Sequence, residues 1–478
     1  MIKIGILGSG ASAIAAAAEL AEFPRNEIEI TILDFGRTNS NLDSYRTSDF
    51  SYKESANSSH FQVPSIFSIK TNNKIVGSAG FGGWAEIWGA TIVPYSSFEI
   101  ENNFLNLNDF KEHENKVLRL LKGNGPNMHN DSSRYVTNYA RNIANNKSKK
   151  YHFEISNLAI STLNSDIKNG CSQCGDCLKG CPENHVWKPS KSWPNILKQS
   201  NFRLISGVWI KKVKEGRDSV EVILIDENQT ETKKVFDHIF CGLGAIQTAA
   251  LLNRSRISKK VQIKDSQMVI VPFINPLLKK TGTNKNRIAL SELFLYSKQN
   301  SSTKSSIFCQ IYGSSPSLKE VIFAEKKFLG LVPTKFLNFM LARIGIAMCF
   351  LDQKTSGEIN LTIDEDTNCI TTSYSLKNKC KQLYYIFNTL TKNRMLPLIF
   401  LSKFAPVGGG YHFGASFPTS AKSRSENHSD FLGRPNGMNY ISLIDSSTLT
   451  EISATPCTVN VMIKSQIIVK NVLKTFSI

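Results

Sequence analysis

Residues 1–34 constrain the fold more than any other stretch. A short apolar run, Ile2 to Leu7, leads into Gly8, Ser9, Gly10, Ala11, Ser12 and Ala13, which fit G-x-G-x-x-A. An Ala-rich segment to about Phe23 follows, and a second apolar run, "EIEITIL", ends at Asp34. The pattern predicts strand, glycine turn, helix and strand, the opening of a parallel α/β sheet. Gly8 permits the tight turn, Gly10 lets a pyrophosphate approach the backbone, and Ala13 lets helix and strand pack closely. The helix N-terminus supplies amide donors for phosphate oxygens. Asp34 at the second strand tip accepts hydrogen bonds from ribose hydroxyls and repels a 2′-phosphate. The same segment has a lysine before an apolar stretch, as a signal peptide does. Cleavage there would destroy the dinucleotide fingerprint.

The chain has 478 residues, 41% hydrophobic and 20% charged, which suits a soluble globular chain of two or three domains. Its net charge of +18 is spread along the length. A diffuse basic excess favours anionic company. No groove-reading helix, zinc finger or aromatic-basic RNA signature accompanies it, so nucleic acid is not an expected partner. Six cysteines, Cys241, Cys309, Cys349, Cys369, Cys380 and Cys457, are scattered without the spacing of a disulfide framework, which points to a reducing compartment.

The other four stand together in "GCSQCGDCLKGCPENH", where Cys171, Cys174, Cys177 and Cys181 have the spacing C-x2-C-x2-C-x3-C-P. This is the bacterial ferredoxin run, with Gly175 and Gly180 for the short turns and Pro182 to end the wrap. Zinc also takes four thiolates, but its ribbons use two knuckles separated by a longer loop. The expected ligand is an iron–sulfur cluster, [4Fe-4S] if Cys181 or a remote cysteine completes the set, [3Fe-4S] if three thiolates hold it. A redox-inert cysteine knot is the remaining alternative.

Three further stretches appear in a telling order: "SAGFGGWAEIWGATIVP" (78–94), "FCGLGAIQTAALLNRS" (240–255) and "YHFGASFP" with "LIDSSTLTEISATPCTVNVM" (within 411–462). With the N-terminal fingerprint they resemble the glucose–methanol–choline (GMC) flavin oxidoreductases, especially the branch of pyranose oxidases and gluconate- or fructose-type dehydrogenases. The resemblance implies FAD as cofactor. It implies that Gly82 and Gly83 lie against the flavin, and that Gly244 and Ala245 lie near its adenine and phosphate end. It sets Asp445 close to the ribityl and pyrophosphate and makes His412 the catalytic histidine. Ile87 stands where some relatives carry a covalently attached histidine, so FAD is expected to be held without a covalent bond there. Thr455 stands where the family places Asn or His before the proline that starts the last helix. Threonine cannot serve as a base near neutral pH, so His412 acts alone or with a partner from elsewhere.

The implied fold is α/β, an FAD-binding Rossmann-like domain with a mixed-sheet α+β substrate domain. The expected boundaries are 1–98, 202–264 and 405–478 for a discontinuous FAD domain, 99–201 for a helical cap with the cysteine motif, and 265–404 for the substrate domain. The stretch 335–350 reads as a helix followed by a buried strand, too short for a bilayer span; docking on a membrane surface is its rival reading. Residues 419–430 read as a surface loop. The implied activity is a dehydrogenase that oxidises a sugar, polyol or other alcohol. Its electrons leave through the cluster to an acceptor protein or quinone, in the cytoplasm or at the inner face of a membrane. The alternatives are an electron-transfer subunit, or a flavin-dependent reductase or isomerase of a glycan or lipid precursor.

Overall fold

In a computed structural model, the described residues are 1–36, 69–71, 75–122 (76, 94, 96 and 105 apart), 128–129, 151–160, 171, 174–175, 177, 181, 184–275, 289–297, 307–313, 343–373 (365–366 apart), 379–420 and 426–476. The centre is a five-stranded parallel sheet in the order Ile441–Leu443, His238–Cys241, Ile2–Leu7, Ile28–Asp34, Phe202–Ser206. Its inner strands are apolar because both faces are covered. Ile4, Ile6 and Leu7 are fully buried, as are Ile30, Ile32 and Leu33.

The helix Ala11–Leu20 covers one face and carries small residues where it meets the helix Thr458–Thr475. Alanines let the two backbones approach, and the Ser465 hydroxyl donates to the Ser12 carbonyl at 2.8 Å across the contact. The helix Ala245–Arg254 packs on the other side, beneath Leu7, Leu33 and Ile239. The chain leaves the strand Ile2–Leu7 toward Ile28–Asp34 on one side and returns later as His238–Cys241 on the other. That divergence opens a crevice at the carboxyl end of the first strand, where open α/β sheets bind ligands. Gly8 sits there.

Four further sheets stand beside it among the described residues: a three-stranded antiparallel one, Glu231–Phe236, Val220–Ile225, Trp209–Glu215, a two-stranded pair, Met128–His129 and Asn157–Leu158, and two larger ones. One runs Phe413–Gly414, Lys260–Asp265, Glu358–Asp364, Thr367–Ser373, with Ile69–Thr71 added parallel at its edge. The larger one runs Leu396–Pro397, Met268–Ile274, Ile344–Leu351, Ile307–Tyr312, Leu293–Ser297, Tyr151–Ile155. The apolar runs "SQMVIVPFI", "SSIFCQIYG" and "SGEINLTI" supply strands of these sheets, Met268–Ile274, Ile307–Tyr312 and Glu358–Asp364. Of the stretch 335–350, Ile344–Leu351 is a strand; the expected helix before it lies outside the described residues. The ends of 419–430 are less loop-like than their composition suggests. Thr419 and Ser429 bridge each other, and both are buried. Among the described residues no helix is long and apolar enough to cross a membrane.

Candidate active site

The glycine turn is fixed by contact with its neighbours. Gly8 has φ +101°, and a Cβ there would lie 2.6 Å from the Gly242 carbonyl oxygen, so a side chain is excluded by conformation and by space. Gly10 begins the helix with extended backbone, and the nearest atom to a Cβ there would be the Gly82 carbonyl at 3.7 Å. The second glycine stretch therefore lies on the first. The Gly82 amide donates to the Ser9 hydroxyl at 2.7 Å, and a Cβ on Gly83 would meet the Gly10 Cα at 3.5 Å.

Asp34 is the next member. Its carboxylate accepts from the Gly36 amide at 2.6 Å. Burial raises its pKa to about 7, against hydrogen bonds from Ser9 and Gly36 that lower it. A buried acid beside Ser9, at the tip of the second strand, has the donor-seeking chemistry a ribose diol would satisfy.

Glycines 82 and 83 lead into Trp84, whose ring meets Tyr411 edge-on at 5.4 Å between centroids. His412 follows. Its Nδ1 is buried and makes no hydrogen bond within the described chain, and its ring lies on Phe350 with centroids 4.4 Å apart. Burial lowers its pKa to about 4, so the imidazole is neutral at neutral pH. Two non-glycine residues flanking it have left-handed backbone, Tyr411 at φ +65° and Ala415 at φ +48°. Strain of this kind persists only where the surroundings impose it.

Those surroundings are the turn after the strand Ile441–Leu443. The Ser446 hydroxyl donates to the Phe413 carbonyl at 2.8 Å, and the Ala415 and Phe417 amides donate to the Ser446 and Ser447 carbonyls. Gly414 is required by this strapping, since a Cβ would lie 2.4 Å from the Ser446 carbonyl oxygen. Asp445 anchors the turn. It accepts from the Gly244 amide at 2.9 Å, the Thr248 hydroxyl at 2.5 Å and the Ser447 amide at 2.9 Å. Its carboxylate is thus occupied by the chain's own donors, and it ties the helix Ala245–Arg254 to the His412 strand. Gly244, at φ +84°, has open space where a Cβ would be, and Ala245 is buried at the helix start.

Thr455 is buried, and the last helix begins at Thr458, just past Pro456. Its neighbour Ala454 packs in one cluster with Phe350, the ring against His412. Thr455 thus adjoins a residue of the cluster that holds the ring against His412.

Of the four cysteines, Cys177 is the one whose thiol is most perturbed. Burial pushes its thiol up to about 12; a hydrogen bond from Ala289 opposes the rise, and Cys171, Cys181 and Cys174 add to it. All four are free thiols, and Cys181 Sγ accepts from the His185 amide at 3.1 Å. The expected ligand set is not closed, however. Among the described residues no three or more His, Cys, Asp or Glu side chains are arranged to hold a metal ion.

Several site residues carry no recognisable motif. Trp193, on the helix Pro189–Leu197 that follows the cysteines, is fully buried and donates its indole N–H to the Ser9 carbonyl at 2.8 Å. Ser190 donates through amide and hydroxyl to the buried Glu86, 2.8 Å each. The helix that follows the cysteines is thereby docked against both glycine stretches. Lys464 is a buried ammonium whose Nζ donates to the Thr448 carbonyl at 2.6 Å, and desolvation lowers its pKa to about 7. Only long-range pairing reveals these roles, and sequence spacing holds no trace of it.

The residues present fit FAD: two glycine stretches in backbone contact, an acid at the second strand tip, and a neutral, unsatisfied imidazole joined to them through Trp84 and Tyr411. Residues 154–278 match the family model described as GMC oxidoreductase, over about a quarter of the chain. No curated protein matches the chain. Among solved structures, pyridoxine 4-oxidase from Mesorbium loti is similar in fold, with a TM-score of 0.59 at 11% identity, covering 98% of this chain and 99% of that one. The chain therefore has the α/β fold of that structure, with a Rossmann-like parallel sheet and mixed sheets beside it, and its residues 154–278 are similar to the GMC oxidoreductases.

Proposed function

We propose that the chain oxidises a small-molecule alcohol with His412 as general base. The single observation that carries this reading is the buried, unsatisfied Nδ1 of a neutral imidazole whose strand is joined to both glycine stretches. FAD, when bound, supplies a two-electron acceptor for the hydride on the alcohol carbon. The protein's own part is the proton. His412 takes it from the substrate hydroxyl, and Phe350 holds the ring plane. Trp84 and Tyr411 fix the base relative to the glycine stretches. The turn at Asp445 keeps the His412 strand from shifting. The Gly8–Gly10 turn and the helix start at Ala11 bind the pyrophosphate, and Asp34 holds a ribose hydroxyl.

The substrate class is an alcohol, with sugars and polyols favoured by the branch that the motifs resemble. The name of the similar structure adds pyridoxine as a donor to be tested. The cysteine segment is read as an iron–sulfur ligand set that passes electrons to an external one-electron acceptor protein or quinone. Its spacing supports that reading, and the helix that follows it is held to the first glycine turn by Trp193. The hydride chemistry above does not depend on it.

Two measurements test the proposal. FAD titrated into the purified protein should bind, and acid or heat should release it intact, because Ile87 offers no covalent attachment. Protein purified without air should contain iron and acid-labile sulfide. Absence of both removes the relay and leaves the alcohol oxidation. Failure to take up FAD removes the oxidation as well.

A further inference from the structure

Four of the ten large apolar side chains exposed among the described residues stand at one turn. Leu396, Ile399, Phe400 and Phe404 lie within nine residues of one another, and Ile399 and Phe400 are 58% and 82% exposed. The turn is built firmly. Its flanks, Leu396–Pro397 and Lys403–Phe404, both pair with the strand Met268–Ile274. The Leu398 amide donates to the Pro272 carbonyl at 2.7 Å and the Ala405 amide to the Met268 carbonyl at 2.9 Å. Between these anchors the single 3-10 turn Ile399–Leu401 buries none of its side chains. A well-anchored turn that holds a phenylalanine and an isoleucine in water marks an interaction site.

Charge decides the partner. Lys392, Arg394 and Lys403 are exposed around the turn. From Thr367 to Ser425 the sequence contains no Asp or Glu, within a chain of net charge +18. A second copy of the same turn would bring like charges together. Four apolar side chains also fall well short of the ~800 Å² that each partner of a stable protein pair buries. A lipid surface needs less: a few apolar side chains at the acyl boundary and cations at the headgroups.

We propose that the turn Leu396–Phe404 docks this protein on an anionic lipid surface, with Ile399 and Phe400 inserted and Lys392, Arg394 and Lys403 against the headgroup charge. The docked strand Met268–Ile274 includes Met268, which packs with Phe350 beside His412. Docking thus sets the sheet that borders the candidate site against the membrane.

The test is sedimentation of the full-length protein, as purified, with vesicles of phosphatidylglycerol and phosphatidylcholine in equal parts, and with phosphatidylcholine alone. The wild type should bind the anionic vesicles and be released by high salt. The double variant I399S/F400S should lose at least about tenfold in binding, given the transfer free energy of two large apolar side chains. Each of Lys392→Gln, Arg394→Gln and Lys403→Gln should cost about fivefold. All of these positions are exposed, so melting temperature and circular dichroism should stay unchanged and show that the fold is intact. Equal vesicle binding by I399S/F400S and wild type would overturn the proposal. So would a wild type that ignores the vesicles but self-associates in sedimentation velocity through a contact that I399S/F400S breaks. Neither outcome bears on FAD uptake.

Discussion

Trp84 and Tyr411 meet edge to face across 327 positions of sequence, with ring centroids 5.4 Å apart. Trp84 continues the glycine stretch that lies on the Ser9 turn, and Tyr411 precedes the candidate base. The pair therefore spans from the dinucleotide turn to the imidazole.

Trp84→Ala should loosen the base relative to the bound cofactor while the glycine turn itself persists. The expected result is a kcat reduced by about ten- to a hundredfold, since misplacement by an ångström is enough for that, with KM changed much less. Steady-state kinetics on the FAD-loaded variant checks the split.

Asp34, proposed to hold a ribose hydroxyl, also bears on the pH dependence of stability. Its folded pKa is raised to about 7 from an ordinary value near 3.8, so the folded state binds a proton more tightly than the unfolded chain does. The stability this contributes is full below about pH 4 and is lost as pH rises through about 7. Asp34→Asn should remove that fall from the apo protein, measured as melting temperature between pH 4 and 8. It should also weaken FAD binding. A variant that flattens the profile and binds FAD as tightly as the wild type would remove Asp34 from the cofactor site.

Trp193→Phe keeps the ring packing and deletes the indole donor to the Ser9 carbonyl. The loss of one buried hydrogen bond should cost about 1 kcal/mol in a denaturant titration. FAD affinity should fall with it, because the bond holds the turn proposed to receive the pyrophosphate. Trp193→Ala should cost about 3–5 kcal/mol through the cavity it leaves.

Much of the fold was legible because local pattern and tertiary role coincide. The run Ile2 to Leu7, the glycines at 8 and 10 and the acid at 34 each obey short-range rules, and the parallel sheet follows them. Motif order alone singles out His412, Gly414 and Asp445 as candidates. Trp193, Glu86 and Phe350 were not, since each acts by a contact more than sixty positions away and none has a residue type that announces it. Asp445 shows the reverse limit. Its motif marks it, but the Gly244, Thr248 and Ser447 donors that occupy its carboxylate are visible only in three dimensions. The cysteine run is the clearest case. Its spacing points to a ligand type, yet among the described residues no three such side chains are placed to hold a metal ion.

The pH profile of the reaction follows from the burial of His412. Its pKa is depressed to about 4, so the imidazole is in the proton-accepting form at every pH above that value. The acid limb of kcat/KM should lie near pH 4 in place of the ordinary histidine range near 6.5. The same shift makes the folded state resist protonation. His412 therefore contributes stability that is full above about pH 6.5 and is lost as pH falls through about 4.

The role of His412 is tested most directly by anaerobic stopped-flow absorbance of the bound flavin in wild type and His412→Ala, mixed with sugar, polyol and pyridoxine donors. The account predicts that at least one donor bleaches the wild-type flavin. It also predicts that His412→Ala binds FAD equally and bleaches at least about a hundredfold more slowly, the usual contribution of a positioned base. Bleaching of the variant at the wild-type rate would contradict it.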